Sequence, residues 1–277
     1  MRNGGVPCKY KVLSSFNVCP RGQWRLRKPT TAQTQTLCVT FFMNKVLTFV
    51  LSIVTIISYG QGYKYPTLRT KGHYASDFSP KGWSVSDSVQ GDLNNDGLLD
   101  KVFIIKAKNA ISVKDNDGND FQILPKILVI ALKDSTDNFS IAETNSKLLL
   151  DDNGPPTHSN PFGSMAIENN ILTLSFSFDY IGGNFTFYKY KFRFQKSRFQ
   201  LIGAEGEYTT RNTMNFEKAS YNFLTKKWSL TIGTYSKGEP PTLNEKTEWF
   251  KLNIDKLKTF KTMDTPGTWK ITTDRWL

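Results

Sequence analysis

Residues 171–180 read ILTLSFSFDY, and this stretch decides the fold class. Large apolar side chains alternate strictly with small polar ones from Leu172 to Phe178. A period of two sends alternate side chains to opposite faces of an extended strand. The stretch therefore predicts a β-strand with one face in a core and the other face toward water.

The same alternation recurs in residues 188–194 (YKYKFRF), 228–232 (WSLTI) and 250–254 (FKLNI). It predicts four inward-pointing side chains, which are Phe176, Tyr190, Phe192 and Trp228. It also predicts three exposed side chains, which are Thr173, Lys191 and Arg193.

Two further runs, Val102 to Ile105 and Ile127 to Leu132, are continuously apolar. Such runs are typical of central strands that are covered on both faces. Glycine, proline and asparagine clusters separate the runs and mark turns. The spacing predicts about ten short strands in an antiparallel all-β fold, either a sandwich or a partly open barrel. There is no repeat of 20–50 residues, so a complete propeller is not expected.

The net charge of +12 is concentrated at one end of the chain. Residues 1–60 hold eight of the 36 Lys and Arg, no acidic residue and all three cysteines, which leaves 28 basic against 24 acidic residues elsewhere. Disulfides, thiol catalysis and cysteine-ligated metals are therefore excluded from residues 61–277. The basic side chains of 189–198 alternate out of phase with the aromatic ones, which indicates a solvated strand face. We expect no nucleic-acid partner.

Residues 43–60 have the layout of a signal peptide. An uncharged run of 12 residues, 46–57, is shorter than the ~20 residues of a membrane-spanning helix. Small residues, Ser58 and Gly60, precede a predicted cut before Gln61. An uncleaved signal anchor is the alternative. A secreted or periplasmic location without a stable membrane span is expected.

Residues 1–42 precede that signal and are basic, free of acidic residues and without a sustained hydrophobic period. We expect a misassigned or disordered extension, with translation starting at Met43. A genuine cytoplasmic extension is the alternative. Residues 61–277 are expected to form a single β-rich domain.

The segment 91–100 reads GDLNNDGLLD and carries the most specific chemistry. Counted from the first aspartate, oxygen-bearing side chains occupy positions 1, 3, 5 and 9, and a glycine, Gly97, occupies position 6. Calcium takes about six to eight oxygen ligands, with the position-7 carbonyl among them in such loops. The predicted calcium ligands are therefore Asp92, Asn94, Asp96, the Leu98 carbonyl and Asp100. Phe103 replaces the glutamate that an EF-hand has at position 12, so the loop is not an EF-hand. A polar turn without metal is the alternative.

The run GDLNNDGLLDKVFII resembles the calcium loop of FG-GAP and VCBS-type repeats, in which such an acidic run leads into a hydrophobic strand. A wider resemblance, from Asp77 to about Leu252, is to uncharacterised secreted bacterial β-proteins that carry one such loop and have no established activity. The resemblance implies a β-rich fold, a structural calcium ion and an extracytoplasmic compartment.

Two other clusters are weaker candidates. Three aspartates, Asp115, Asp117 and Asp120, surround Gly118, but the calcium register there places side chains without oxygen at positions 1 and 9. In the proline-rich loop after residue 150, Asp151, Asp152 and His158 could act in acid–base chemistry. Neither of the chain's two histidines belongs to an HExxH motif, and no G-x-S-x-G motif is present.

We therefore expect a non-catalytic, calcium-stabilised binding or interaction module with a protein or glycan ligand. The first alternative is a cell-envelope hydrolase that uses Asp151, Asp152 and His158. The second is a glycan-binding module that exposes Trp83, Tyr180 or Trp249.

Overall fold

A computed structural model of the chain describes residues 63–114, 118–152, 161–180, 183–235 and 243–277. These residues form fourteen β-strands and two short 3₁₀ helices, Ala75–Phe78 and Phe260–Thr262. The fold is all-β and antiparallel, as predicted. The strand number exceeds the predicted ten or so because strands of two to four residues are too short to show an alternating pattern. No helix in the described segments is long and apolar enough to span a membrane.

The first half of the described chain forms a five-stranded antiparallel sheet and a separate hairpin. The strands are β1 Lys71–Gly72, β2 Trp83–Gly91, β3 Asp100–Ala107, β4 Ile111–Lys114, β5 Asp120–Ile123, β6 Lys126–Lys133 and β7 Phe139–Asn145. The order in the sheet is β1-β7-β6-β3-β2, and β4 pairs with β5 alone.

The second half forms a seven-stranded antiparallel sheet in which successive strands are neighbours, from β8 to β14. The strands are β8 Phe162–Glu168, β9 Ile171–Tyr180, β10 Asn184–Gln195, β11 Arg198–Thr210, β12 Asn215–Asn222, β13 Lys227–Tyr235 and β14 Leu243–Lys251. The stretch ILTLSFSFDY is β9, and its apolar side chains are buried in strict alternation.

The main core lies between the two sheets. It joins side chains of the seven-stranded sheet, such as Leu174 and Phe176, to side chains of the five-stranded sheet, such as Ile104 and Ile130. The inward predictions are confirmed: Phe176, Tyr190 and Phe192 are 0% exposed and Trp228 is 8% exposed. We call this side of the seven-stranded sheet its inner face. The two sheets thus form a β-sandwich.

The five-stranded sheet is covered on its second face as well. Phe103, Ile105 and Val129 are 0% exposed there. They pack with Phe78, which lies in the segment before β2, and with Trp83, which is the first residue of β2. Two continuously apolar runs were predicted to be central strands buried on both faces, and β3 and β6 confirm this.

The predicted exposure of Thr173, Lys191 and Arg193 is wrong in degree, because all three are only partly exposed. They lie on the outer face of the seven-stranded sheet, where long polar side chains cover one another. Lys191, for example, donates from Nζ to Glu205 Oε1 at 2.8 Å.

Candidate functional site

The predicted calcium loop connects β2 to β3, and its ends pair directly, Gly91 opposite Asp100. Two residues of the loop have left-handed backbone, Asn95 with φ 63° and Gly97 with φ 81°. A side chain is strained at such a φ, which accounts for glycine at position 97. The sequence thus places a tight, hairpin-closing turn where the motif predicts one.

Asp92 organises the turn by accepting backbone N–H groups. Its Oδ1 accepts from Asn95 N at 2.7 Å, and its Oδ2 accepts from Gly97 N at 2.9 Å. Asp96 accepts from Leu98 N at 2.8 Å and from Asn94 Nδ2 at 2.8 Å. The side chains of Asp92, Asn94 and Asp96 therefore hold the loop closed.

Asp100 is the buried member of the set, with 0% exposure. Its carboxylate accepts from Leu93 N and from Lys133 N, each at 2.8 Å. Burial raises the pKa of Asp100, and the negative charges of Asp96 and Asp92 raise it further, although the two N–H donors oppose them. A cation beside this carboxylate would relieve the repulsion from its two acidic neighbours.

The donor set suits calcium, because it contains three carboxylates and an amide oxygen. A carboxylate oxygen that accepts one N–H keeps a further lone pair for a cation. In the described residues, however, no three acidic, histidine or cysteine side chains converge on one point that could hold a metal. Calcium binding by Asp92, Asn94, Asp96, the Leu98 carbonyl and Asp100 therefore stays a prediction.

The loop is also attached to the other sheet. Asn170, in the turn between β8 and β9, donates from Nδ2 to the Asp92 carbonyl oxygen at 2.9 Å. At the start of the loop, a Cβ added at Gly91 would lie 2.6 Å from Ile167 Cγ2, so the backbone of β2 passes directly against β8. Asn170 was not among the predicted site residues, and its only signal is the Asn-Asn pair before β9.

The acidic pair of the hydrolase alternative has structural partners. Asp152 accepts from Lys126 Nζ at 2.5 Å and from Lys106 Nζ at 3.1 Å, and Asp151 accepts from the backbone N of Lys126 at 3.1 Å. Burial alone would raise the pKa of Asp152, but the two ammonium groups outweigh it and hold the pKa below its usual value. Burial raises the pKa of Asp151. The pair compensates Lys126, which is only 4% exposed.

Several predicted positions lie outside the described residues. These are the signal peptide and the cut before Gln61, the aspartates Asp115 and Asp117, and His158. Asp120 is described, and it forms an exposed ion pair with Lys114 at 3.1 Å.

The three aromatic candidates for glycan binding do not share a surface. Trp83 is only 8% exposed, so its predicted exposure is wrong. As the first residue of β2, Trp83 faces the second core, where its ring lies 6.5 Å from that of Tyr65. Trp249 is 72% exposed and Tyr180 is 37% exposed. The alternation along β9 and β14 puts Tyr180 on the inner face and Trp249 on the outer face.

The five-stranded sheet covers only part of the inner face. Thr186, Tyr208, Glu217 and Ile232 are paired with one another in a row that runs across β10 to β13. The neighbouring row of the same face, two residues away along each strand, contains Gly206 and Ala219. In the row of Thr186, Tyr208 is 43% exposed and Ile232 is 51% exposed. An apolar and aromatic surface of the sheet is thus left open beyond the core.

The C-terminal segment borders this surface. Arg275 donates from Nη1 to Glu217 Oε2 at 3.0 Å, and Leu277 and Trp269 exchange two backbone hydrogen bonds of 2.8 and 2.9 Å. Together the sheet and the segment line an open cavity of about 300 Å³ whose lining includes Tyr208, Glu217, Asp274, Arg275 and Trp276. We call this cavity the inner-face groove.

The groove combines aromatic rings with charged groups. Trp276 is 48% exposed beside it. Burial, followed by the nearby Tyr180, raises the pKa of Tyr188 in its wall to about 12. Sequence reasoning missed the groove, because its residues come from separate strands and the C-terminal segment.

No protein-family model, curated protein or solved structure matches the chain.

Proposed function

We propose that the chain is a secreted or periplasmic, non-catalytic binding module that holds a glycan in the inner-face groove. The observation that carries this proposal is the meeting of two exposed aromatic side chains, Tyr208 and Trp276, with the polar groups of Glu217, Asp274 and Arg275 in one cavity.

Sugars suit this combination of groups. One face of a pyranose ring presents C–H groups that pack against an aromatic ring, while its hydroxyls form hydrogen bonds around the rim. Pockets of this kind use apolar walls for contact area and a few polar groups for orientation. Tyr208 and Trp276 would supply the stacking surfaces, and Glu217 and Asp274 would accept hydrogen bonds from hydroxyls.

Arg275 supplies a donor to the groove. Its guanidinium is held by Glu217, and its Nε is buried with no hydrogen-bond partner among the described residues. A buried donor without a partner is energetically unfavourable. A sugar hydroxyl in the groove could accept from this group only after the Arg275 side chain turned, because the nitrogen has almost no accessible surface.

One structural calcium ion, held by Asp92, Asn94, Asp96, the Leu98 carbonyl and Asp100, is part of the proposal. The ion would neutralise the clustered carboxylates. The loop's own contacts with Asn170 and Lys133 would then be held in place, which fixes the β2–β3 hairpin against the second sheet. The resemblance to FG-GAP and VCBS-type loops supports this role. In the proposed extracytoplasmic location, even a site of ~10⁻⁴–10⁻³ M affinity would be useful.

A printed array of bacterial and plant oligosaccharides, followed by calorimetric titration of each hit, tests glycan binding. We expect binding to at least one glycan, and we expect Tyr208→Ala and Trp276→Ala each to weaken it tenfold or more. Trp249→Ala is the matched control, since it removes an exposed aromatic from the opposite face and should leave the affinity unchanged. Failure to retain any glycan, or a loss of binding in Trp249→Ala alone, would contradict the groove as the binding site.

A further inference from the structure

Strand β14 is an exposed edge of the seven-stranded sheet. It is nine residues long, and the side chains from Asn244 to Lys251 are all exposed. Trp249 is 72% exposed and Phe250 is 37% exposed. Long, apolar edge strands readily pair with another strand, and most soluble proteins shorten or cover them. Among the described residues, β14 pairs only with β13.

The outward-facing backbone groups of β14 follow from the register. Leu252 N donates to the Lys226 carbonyl at 2.8 Å, directly beyond the pair Lys251–Lys227. Hydrogen-bonded pairs occur at every second residue of an antiparallel ladder. The even-numbered residues of β14 therefore bond to β13, and the N–H and C=O groups of Glu245, Thr247, Trp249 and Lys251 point away from the sheet.

We propose that two copies of the chain pair antiparallel through β14, with a two-fold axis at Thr247. This surface lies apart from the proposed calcium loop, and the inference does not depend on the proposed function. At the axis, the outward N–H and C=O of Thr247 would bond to those of Thr247 of the partner subunit. The two sheets would then form one continuous sheet of fourteen strands.

Charge selects this register. With the axis at Thr247, Lys246 faces Glu248 of the partner subunit twice in the dimer, on neighbouring positions of the ladder where opposed side chains come closest. An axis at Glu245, Lys246 or Glu248 would instead place that residue opposite its own copy, with like charges in contact. An axis at Trp249 would leave Lys246 and Glu248 without an opposite charge across the interface.

A second copy explains the pattern of β14 better than an unrelated strand does. Lysines on an edge strand normally discourage pairing. Here Lys246 already lies 2.6 Å from Glu248 within the same strand, so the edge carries balanced charges that are self-complementary under a two-fold axis. Such isologous pairing is the commonest form of homodimer.

Sedimentation velocity of the purified chain over a range of micromolar concentrations tests the proposal. We expect a species of twice the mass of the purified chain. Thr247→Pro removes the N–H at the axis without removing a backbone bond to β13, and Thr247→Val is its control, because both lose the 2.8 Å hydrogen bond between the Thr247 and Thr231 hydroxyls. Lys246→Glu places like charges across the interface. Thr247→Pro and Lys246→Glu should each raise the dimer dissociation constant tenfold or more while the melting temperature of the monomer is retained.

A charge exchange separates this dimer from other associations. The double variant Lys246→Glu with Glu248→Lys restores opposite charges and should restore the dimer. Lys251→Glu is the control, because Lys251 would face Leu243 of the partner subunit and should leave the dissociation constant unchanged. A monomer at every concentration, a dimer indifferent to Thr247→Pro and Lys246→Glu, or a failure of the double variant to restore the dimer would overturn the proposal.

Discussion

Asn170 and Asp92 lie in the connections of two different sheets and are joined by a hydrogen bond of 2.9 Å from the Asn170 side chain to the Asp92 carbonyl oxygen. Asn170 has φ 60° and its neighbour Asn169 has φ 50°, so both occupy the left-handed region that asparagine tolerates better than most residues. The bond attaches the acidic loop of one sheet to the β8–β9 turn of the other. A change in the loop can therefore alter how the two sheets pack.

Replacing Asn170 with glycine should lower the free energy of unfolding by about 1 kcal/mol, because one hydrogen bond to the loop is lost while the backbone conformation remains accessible. Equilibrium unfolding in urea measures the difference. Asn169→Gly makes the same change one residue earlier and should have a smaller effect. Equal losses in the two variants would show that the Asn170 side chain contributes nothing beyond the turn.

Phe192 lies at the centre of the main core, 0% exposed, with its ring 5.6 Å from that of Phe260. Phe192→Ala should destabilise the fold by about 3–5 kcal/mol, because the lost burial and the remaining cavity both weaken the core. The adjacent Lys191 pairs with Glu205 at 2.8 Å on the outer face. Lys191→Ala should cost less than about 1 kcal/mol. If Phe192→Ala and Lys191→Ala lowered the free energy of unfolding by similar amounts in denaturant melts, the assignment of faces along β10 would be incorrect.

The ion pairs of Asp152 should make stability depend on pH in the acid range. The folded-state pKa of Asp152 lies below its unfolded value, so its contribution is present above about pH 4 and is lost as the pH falls through the folded pKa. Asp152→Asn should destabilise the fold by ~1–3 kcal/mol at neutral pH, since it leaves the ammonium of the buried Lys126 without its ion-pair partner. The difference in the free energy of unfolding between Asp152→Asn and the wild type should become smaller in acid.

Urea melts at pH 7, 5 and 3 would measure this dependence. Asp179→Asn is the control, because Asp179 pairs with Arg211 at 2.7 Å at an exposed position. Its effect should stay below about 1 kcal/mol at each pH. A gap between Asp152→Asn and wild type that widens toward pH 3 would contradict the direction of the Asp152 pKa shift.

The strand pattern can be predicted from the sequence because burial in a sheet alternates residue by residue. Leu172 to Phe178 shows this in β9, and the continuous run in β6 shows burial on both faces. The turn around Gly97 is predictable for a similarly local reason, since spacing and a positive φ are properties of adjacent residues. Local patterns thus give the fold class and the position of the acidic loop.

The inner-face groove and the burial of Trp83 are not predictable in this way. Tyr208, Glu217 and Trp276 meet only after strand register and the path of the C-terminal segment are fixed. Trp83 begins a strand, and nothing local indicates that the segment before β2 folds over that face of the sheet. Both features depend on contacts between residues that are distant in the chain.

Calorimetric titration of calcium into the metal-free chain tests the role of the acidic loop most directly. We expect one binding event at or below millimolar calcium and a higher melting temperature in calcium than in chelator, by mass action on the folded state. Asp96→Asn should remove both responses, while Asp120→Asn, at the start of β5 in the other acidic cluster, should retain them. The absence of binding heat at millimolar calcium, together with a melting temperature that is indifferent to chelator, would contradict a calcium site at Asp92, Asn94, Asp96 and Asp100.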